Sequence, residues 1–115
     1  MKDISTTVQA MREDFEQGHI DMPKLKLLYL RYNPIPDIDG FFRRAQTKFP
    51  ECNCGIATLY LQDRLLIGDV VHGTYAGRGH TFLLIDGKTV VDITADQFGG
   101  PPVYIGPLQC PWSVN

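Results

Sequence analysis

The chain of 115 residues lacks several features that mark whole classes of protein. No apolar run approaches the roughly 20 residues that cross a bilayer, and the first residues carry acid early and lack the apolar stretch of a signal peptide. Basic charge is not in excess, because 11 Lys and Arg stand against 13 Asp and Glu. We therefore expect a cytoplasmic protein, or one delivered into a target cell by a route without a cleaved signal. Neither a membrane nor nucleic acid is expected as a partner.

Cysteine is scarce, and its three copies form no closed set of disulfides. Reduced thiols are the default for such a chain. Cys52, Cys54, His72, His80 and Cys110 together offer enough soft ligands for zinc. However, Cys-x-Cys is not the usual Cys-x-x-Cys spacing, and no second paired motif follows. The sequence thus predicts no metal and no cofactor.

Length and composition predict a single domain over residues 1–115, with 43% hydrophobic residues available for a core. Residues 1–49 read as a helical layer, because apolar residues recur at helical spacing between start and stop signals. These signals are a stop at Gly18, a start at Asp21-Met22-Pro23, a break at Asn33-Pro34-Ile35-Pro36 and a cap at Asp37 or Asp39.

The second half, residues 50–115, changes character. A helix is predicted from Cys54 to about Leu66, followed by strands over residues 70–75, 80–85 and 89–92. Residues 76–79 are expected to form a flexible connection, and residues 103–105 an edge strand. The fold class predicted is α+β, with N-terminal helices and a helix bearing Cys54 packed on a small antiparallel sheet that bears His80 and Asp92.

Cys54, His80 and Asp92 occur in the order and context of a nucleophile, its base and an orienting acid. Cys54 opens the predicted fourth helix, where unpaired N–H groups and the helix dipole favour a thiolate. His80 opens a strand, and Asp92 closes the strand that returns beside it. His72 is the rival base and Asp96 the rival acid. The ordered set predicts a catalytic triad.

The hairpin between the second and third strands offers a test of this triad. A two-residue turn at Asp86-Gly87 would point His80 and Asp92 to opposite sides of the sheet. A three-residue loop that pairs Leu84 with Lys88 would instead set His80 directly opposite Asp92. The triad therefore predicts the three-residue loop.

An oxyanion formed at the site needs donors. The Cys54 amide is well placed at the helix start, and Asn53 and Gln46 are both candidates for the second donor. Gly55 keeps the entrance open to substrate. Further residues expected near substrate are Gly79, Phe82, Asp96 and Gln97.

Residues 50 to 100 resemble the papain-like and transglutaminase-like cysteine hydrolase superfamily. The resemblance rests on Asn53-Cys54-Gly55, on Gly79-His80-Thr81-Phe82, and on Val91-Asp92-Ile93-Thr94 after the Asp86-Gly87 turn. It implies a nucleophilic Cys54, a basic His80 and an orienting Asp92. It also implies peptide cleavage, glutamine deamidation or acyl transfer through a thioester. The shortness of the chain, and the segment from Thr94 to Phe98, look like small bacterial and phage members such as toxins and effectors.

The sequence thus predicts a thiol protease, deamidase or transglutaminase-like enzyme with a protein or peptide substrate. The alternative is a non-catalytic protein-binding module, such as a small effector or inhibitor, that keeps the hydrolase-like fold. The Gly-Pro segment of residues 99–102 and Tyr104 offer a docking surface for that alternative.

Overall fold

Four α-helices precede a five-stranded antiparallel sheet in the computed structural model, which describes residues 4–51 and 53–114. This arrangement confirms the α+β class. Within the described residues, no helix combines the length and the apolar character needed to cross a membrane. The elements are α1 Ser5–Gln17, α2 Met22–Tyr32, α3 Ile38–Lys48, α4 Cys54–Leu65, β1 Asp69–Tyr75, β2 Arg78–Ile85, β3 Thr89–Asp92, a 3-10 helix Ala95–Phe98, β4 Tyr104–Pro107 and β5 Trp112–Ser113.

The helix boundaries follow local capping chemistry. Gly18 ends α1 in the left-handed region, with φ of 72°. Of the two predicted caps for α3, Asp37 is the one used, since its carboxylate accepts from the Gly40 N–H at 3.0 Å. Asp39 instead forms an ion pair with Lys26 at 2.8 Å. Local sequence therefore fixes where these helices begin and end.

The sheet has the strand order β4-β3-β2-β1-β5, so β2 is central and pairs on both edges. Both faces of β2 are covered, as its unbroken apolar run predicted. One face packs on the helices through residues that include Leu83, Ile85, Val91 and Ile93. The other face carries a second apolar cluster that includes Tyr75, Phe82, Leu84, Val90 and Trp112.

The turn between β2 and β3 differs from both predicted forms. Asp86 and Gly87 have positive φ angles of 54° and 69°, and the Lys88 N–H donates to the Ile85 carbonyl at 3.0 Å. The strands nevertheless pair Ile85 with Thr89. Lys88 is therefore an extra residue that follows a tight two-residue turn, as in a β-bulge.

The bulge determines how His80 and Asp92 meet. Continuing the observed pair of Leu83 with Val91 sets Asp92 opposite Phe82. The predicted direct pairing of His80 with Asp92 is therefore wrong by two residues. Because side chains alternate along a strand, a shift of two keeps both residues on one face as diagonal neighbours.

The predicted flexible connection over residues 76–79 is also wrong. Tyr75 pairs directly with Arg78, so Ala76 and Gly77 form a two-residue hairpin turn, with φ angles of 52° and 83°. The glycine accommodates a backbone conformation that other residues rarely adopt. Gly79 belongs to β2, and the hairpin holds the start of that strand in register.

A buried arginine joins the first helix to the segment that follows β3. Arg12 donates from Nη1 to the Ile93 carbonyl at 2.8 Å and to the Pro102 carbonyl at 3.1 Å. Its two terminal nitrogens also hold the Asp96 carboxylate at 2.8 and 2.7 Å, and its guanidinium lies 4.7 Å from the Phe49 ring centroid. A planar fork of donors suits this bidentate contact.

We expect Arg12→Met to lower the free energy of unfolding by about 3 kcal/mol, because Asp96, the buried Ile93 carbonyl and the part-buried Pro102 carbonyl would lose their donor. Urea denaturation measures this loss. Arg44→Met, an equal change at an exposed position of α3, should alter stability by less than about 0.5 kcal/mol. Equal losses in the two variants would contradict the role given to Arg12.

Candidate active site

The structure brings His80 and Asp92 into direct contact. His80 lies in β2 and Asp92 at the end of β3, and their side chains are almost wholly excluded from solvent. His80 Nε2 and Asp92 Oδ2 are 2.7 Å apart. Since an ionised carboxylate only accepts hydrogen bonds, Nε2 carries the hydrogen of this contact.

The Asp92 carboxylate accepts hydrogen bonds from three N–H donors and from the Thr94 hydroxyl. His80 Nε2 and Trp112 Nε1 reach Oδ2 at 2.7 and 2.8 Å, and the Thr94 backbone N–H reaches Oδ1 at 2.9 Å. The rival acid, Asp96, is instead held by Arg12. Asp92 is therefore the carboxylate that contacts His80.

Sequence reasoning missed Trp112 as part of this site. Trp112 pairs with Tyr75 across the β1–β5 edge, and its ring stacks on Tyr104 with centroids 3.8 Å apart. The available signal was that it is the only tryptophan of the chain, since a buried indole N–H needs an acceptor. Nothing local in the sequence identifies that acceptor as Asp92.

Aromatic rings enclose the His80 imidazole. The centroids of Phe98, Phe82 and Tyr75 lie 5.2, 5.9 and 6.2 Å from the imidazole centroid. Nδ1 of His80 is buried and has no hydrogen-bond partner among residues 4–51 and 53–114. Because Nε2 is bound to Asp92, Nδ1 is the nitrogen available for chemistry.

The third predicted residue, Cys54, begins α4 beside this imidazole. Burial raises the pKa of the Cys54 thiol, but polar interactions with His80 and Thr81 outweigh burial and lower its pKa overall. Burial likewise opposes protonation of His80, yet Asp92 and then Cys54 raise its pKa to about 9. The pair therefore favours a thiolate beside an imidazolium, although the thiol and Nδ1 do not form a hydrogen bond of good geometry. Catalytic hydrogen bonds are often long before substrate binds.

Asn53 positions the start of α4 with its side chain. Its Nδ2 donates to the carbonyls of Ala45 and Glu51, both at 2.8 Å, so both amide hydrogens are used. Its side chain does not cap α4. The side-chain amide of Asn53 therefore has no N–H left for an oxyanion. It also leaves the N–H groups of the first turn of α4 uncapped by a side chain.

The second predicted oxyanion candidate, Gln46, lies in α3. Its Nε2 contacts the Met22 sulfur at 3.8 Å, and its side chain helps to line a cavity of about 240 Å³ together with Phe15 and Phe49. The cavity lining includes Asn53 but not Cys54 or His80. The contacts of Gln46 are therefore with the helical layer.

The other residues predicted to lie near substrate have different surroundings. Gly55 faces α2, since a Cβ there would lie 3.5 Å from the Tyr29 ring and 3.9 Å from the Tyr32 ring. Gly79 borders open space, and Phe82 is fully buried beneath His80. The Gln97 side-chain nitrogen is buried and has no hydrogen-bond partner in the described part of the chain.

His72, the rival base, lies on β1 and has other partners. It contacts the Thr81 hydroxyl and the Tyr32 hydroxyl. His80, rather than His72, is therefore the histidine paired with Asp92. Cys52 lies outside the described residues, and Cys110 is an exposed free thiol. In residues 4–51 and 53–114, no three His, Cys, Asp or Glu residues are grouped to hold a metal ion.

No family model matches the chain, and the searches of curated proteins and of solved structures return no match. The resemblance to papain-like and transglutaminase-like hydrolases therefore stays a prediction.

The two shifted pKa values have opposite consequences for stability. The pKa of His80 is raised from 6.5 to about 9, so its contribution is complete below pH 6.5 and is lost as the pH rises through about 9. The pKa of Cys54 is lowered from 9.0, so its contribution is present above that value and is lost as the pH falls through the folded-state pKa. As the pH rises, the contribution of His80 to folding stability therefore decreases while that of Cys54 increases.

Cys54→Ala removes the share of the raised His80 pKa that Cys54 supplies and leaves the share that Asp92 supplies. As the pH rises above 6.5, we therefore expect this variant to lose about 1 kcal/mol more stability than Cys54→Ala/Asp92→Asn, in which His80 has no carboxylate. Unfolding temperatures measured by calorimetry between pH 6.5 and about 9 give the comparison. Parallel pH profiles for the two variants would contradict the raised pKa of His80.

Proposed function

We propose that this chain is a cysteine hydrolase or acyltransferase that acts on amide bonds through Cys54, His80 and Asp92. The observation that carries the proposal is the buried His80–Asp92 pair, which leaves Nδ1 unbonded beside a thiol with a lowered pKa. Such a pair is the arrangement that activates a cysteine nucleophile.

In the proposed reaction, the Cys54 sulfur attacks the carbonyl carbon of the amide. The electron pair of the C=O bond moves to oxygen, and the oxyanion is stabilised by the Cys54 N–H at the start of α4. This role is supported by the side chain of Asn53, which turns to Ala45 and Glu51 and leaves that helix end uncapped.

His80 then donates the Nδ1 proton to the leaving amine, the C–N bond breaks and a thioester remains on Cys54. Water or an amine attacks the thioester and loses its proton to Nδ1, and the sulfur departs as thiolate. Asp92 binds Nε2–H throughout and so holds the tautomer in which Nδ1 transfers protons. Trp112 and Thr94 keep this carboxylate in place.

We also propose that the α+β fold is a papain-like or transglutaminase-like core. A helix bearing the nucleophile, packed on an antiparallel sheet that bears the histidine and the acid, corresponds to a papain-like or transglutaminase-like core. We infer a protein or peptide substrate from that resemblance. The chemistry expected is peptide cleavage, glutamine deamidation or acyl transfer.

Alkylation of the thiol tests the proposed nucleophile. We expect iodoacetamide to label Cys54 well below pH 8, with Cys110 as the ordinary exposed thiol in the same sample. His80→Ala should slow Cys54 labelling at pH 6.5 by about tenfold to a hundredfold and leave Cys110 unchanged. Peptide mass spectrometry gives the rates. If the pH dependence of Cys54 labelling is that of an ordinary thiol and is the same in His80→Ala, the proposal is wrong and the binding module is the remaining alternative.

Turnover is tested with unfolded, glutamine-rich protein as substrate, with and without an amine probe. Cleavage adds one water across a peptide bond, deamidation exchanges a side-chain NH2 for OH and releases ammonia, and transfer joins the probe with the same release. Mass spectrometry distinguishes these products. Activity is expected in the wild type and in Cys110→Ser, and its loss in Cys54→Ser.

A further inference from the structure

A second histidine lies on the strand beside the candidate triad. His72 of β1 pairs in register with Thr81 of β2, and its Nδ1 lies 3.2 Å from the Thr81 hydroxyl oxygen. The Tyr32 hydroxyl of α2 lies 2.6 Å from Nε2 of His72 and 3.0 Å from its Nδ1. The two rings stack with centroids 5.3 Å apart. Three polar side chains thus form a continuous chain of contacts.

This chain of contacts leads to Cys54. The Thr58 hydroxyl lies 2.6 Å from the Cys54 carbonyl oxygen and 3.2 Å from that of Thr81, so it ties the start of α4 to β2 at this residue. In keeping with that link, hydrogen-bonding interactions with the Thr81 backbone and hydroxyl help to lower the pKa of the Cys54 thiol. Thr81 is therefore a neighbour of the sulfur as well as of His72.

We propose that Tyr32, His72 and Thr81 form a hydrogen-bond relay that directs the Thr81 hydroxyl hydrogen to the sulfur of Cys54. A neutral imidazole has one donor and one acceptor nitrogen. Tyr32 donates to Nε2, the closer nitrogen, and this leaves the hydrogen of His72 on Nδ1. Nδ1–H then donates to the Thr81 oxygen, whose own hydrogen points to the thiolate.

In this arrangement the two histidines near the sulfur, His80 and His72, have different roles. His80 carries the proton that the reaction moves, whereas the relay stabilises negative charge on sulfur with neutral groups. In this relay Thr81 would contact the reacting sulfur and so act as a catalytic residue, while His72 and Tyr32 would be positioning residues. The inference deepens the proposed function and rests on it for its catalytic consequence.

The titratable groups around the relay come from four elements. They are His80 on β2, His72 on β1, and Tyr32 and Tyr29 on α2, with Cys54 of α4 at the end of the relay. Among residues 4–51 and 53–114, no ion pair involves His72.

The test is the pH dependence of Cys54 alkylation by iodoacetamide, in which the S–C bond forms and iodide leaves. We expect Thr81→Val to raise the midpoint by about one pH unit, which is a tenfold slower reaction below the midpoint. The high-pH plateau should stay the same. Thr81→Ser, which keeps the hydroxyl, should restore the wild-type midpoint.

Tyr32→Phe keeps the stacked ring and removes only the donor to His72. We expect labelling below the midpoint to slow about threefold. In Thr81→Val/Tyr32→Phe the rate should equal that of Thr81→Val alone, because the two residues act in series. Tyr60→Phe removes a tyrosine hydroxyl that contacts Asp14 at 3.4 Å and should leave the profile unchanged.

Three results would overturn the relay. The first is an alkylation midpoint that stays at the wild-type pH in both Thr81→Val and Tyr32→Phe. The second is a change in the high-pH alkylation rate without a change of midpoint. The third is a double variant in which the rate losses of the two single variants multiply. His80→Ala in the same series separates this failure from failure of the proposed function. If His80→Ala slows labelling and the relay variants do not, only the relay is wrong. If Cys54 behaves as an ordinary thiol in the wild type and in His80→Ala, the proposed function fails.

Discussion

The bond between His80 and the Asp92 carboxylate is the interaction on which the rest of the site depends. A buried carboxylate is costly unless its oxygens are fully hydrogen-bonded, and here three N–H donors from separate segments meet it. Those donors fix where β2, the end of β3 and the short β5 lie relative to one another. The same bonds determine which imidazole nitrogen faces the thiol.

Burial opposes charge on both Cys54 and His80, and the shifts in their pKa values show that local partners outweigh it. Asp92 stabilises the imidazolium from one side, and the thiol does so from the other. Thr81 adds uncharged donors at the sulfur. The helix start contributes its unpaired N–H groups, since Asn53 is occupied with α3. In the proposed function, one charged pair and several fixed dipoles would together keep a thiolate stable and still nucleophilic.

Local signals in the sequence predict most of the elements. The caps at Asp37 and Gly18, the start of α4 at Cys54 and the apolar run of β2 each have short-range causes. The β2–β3 register was predicted wrongly because Lys88 is inserted after a turn that Asp86-Gly87 completes by itself. His80 and Asp92 still lie on the same face of the sheet, as predicted, because the register differs by two residues and side chains alternate along a strand. The contact of Trp112 with Asp92 joins residues 20 positions apart in the sequence. The hydrogen bonds of Asn53 and Thr81 likewise depend on tertiary neighbours. Residue spacing in the sequence therefore could not predict these contacts.

Arg12 connects the first helix to the surroundings of His80, which the sequence of α1 does not suggest. Its contacts with Ile93, Asp96 and Pro102 span 81 to 90 residues, and they anchor the 3-10 helix whose Phe98 ring covers His80. Local opening of α1 would therefore release that ring and admit water to the imidazole. The backbone amides of α1 and of the 3-10 helix are expected to exchange with solvent as one cooperative unit. Solvent access to His80 is thereby linked to the opening of a helix that supplies none of the triad residues.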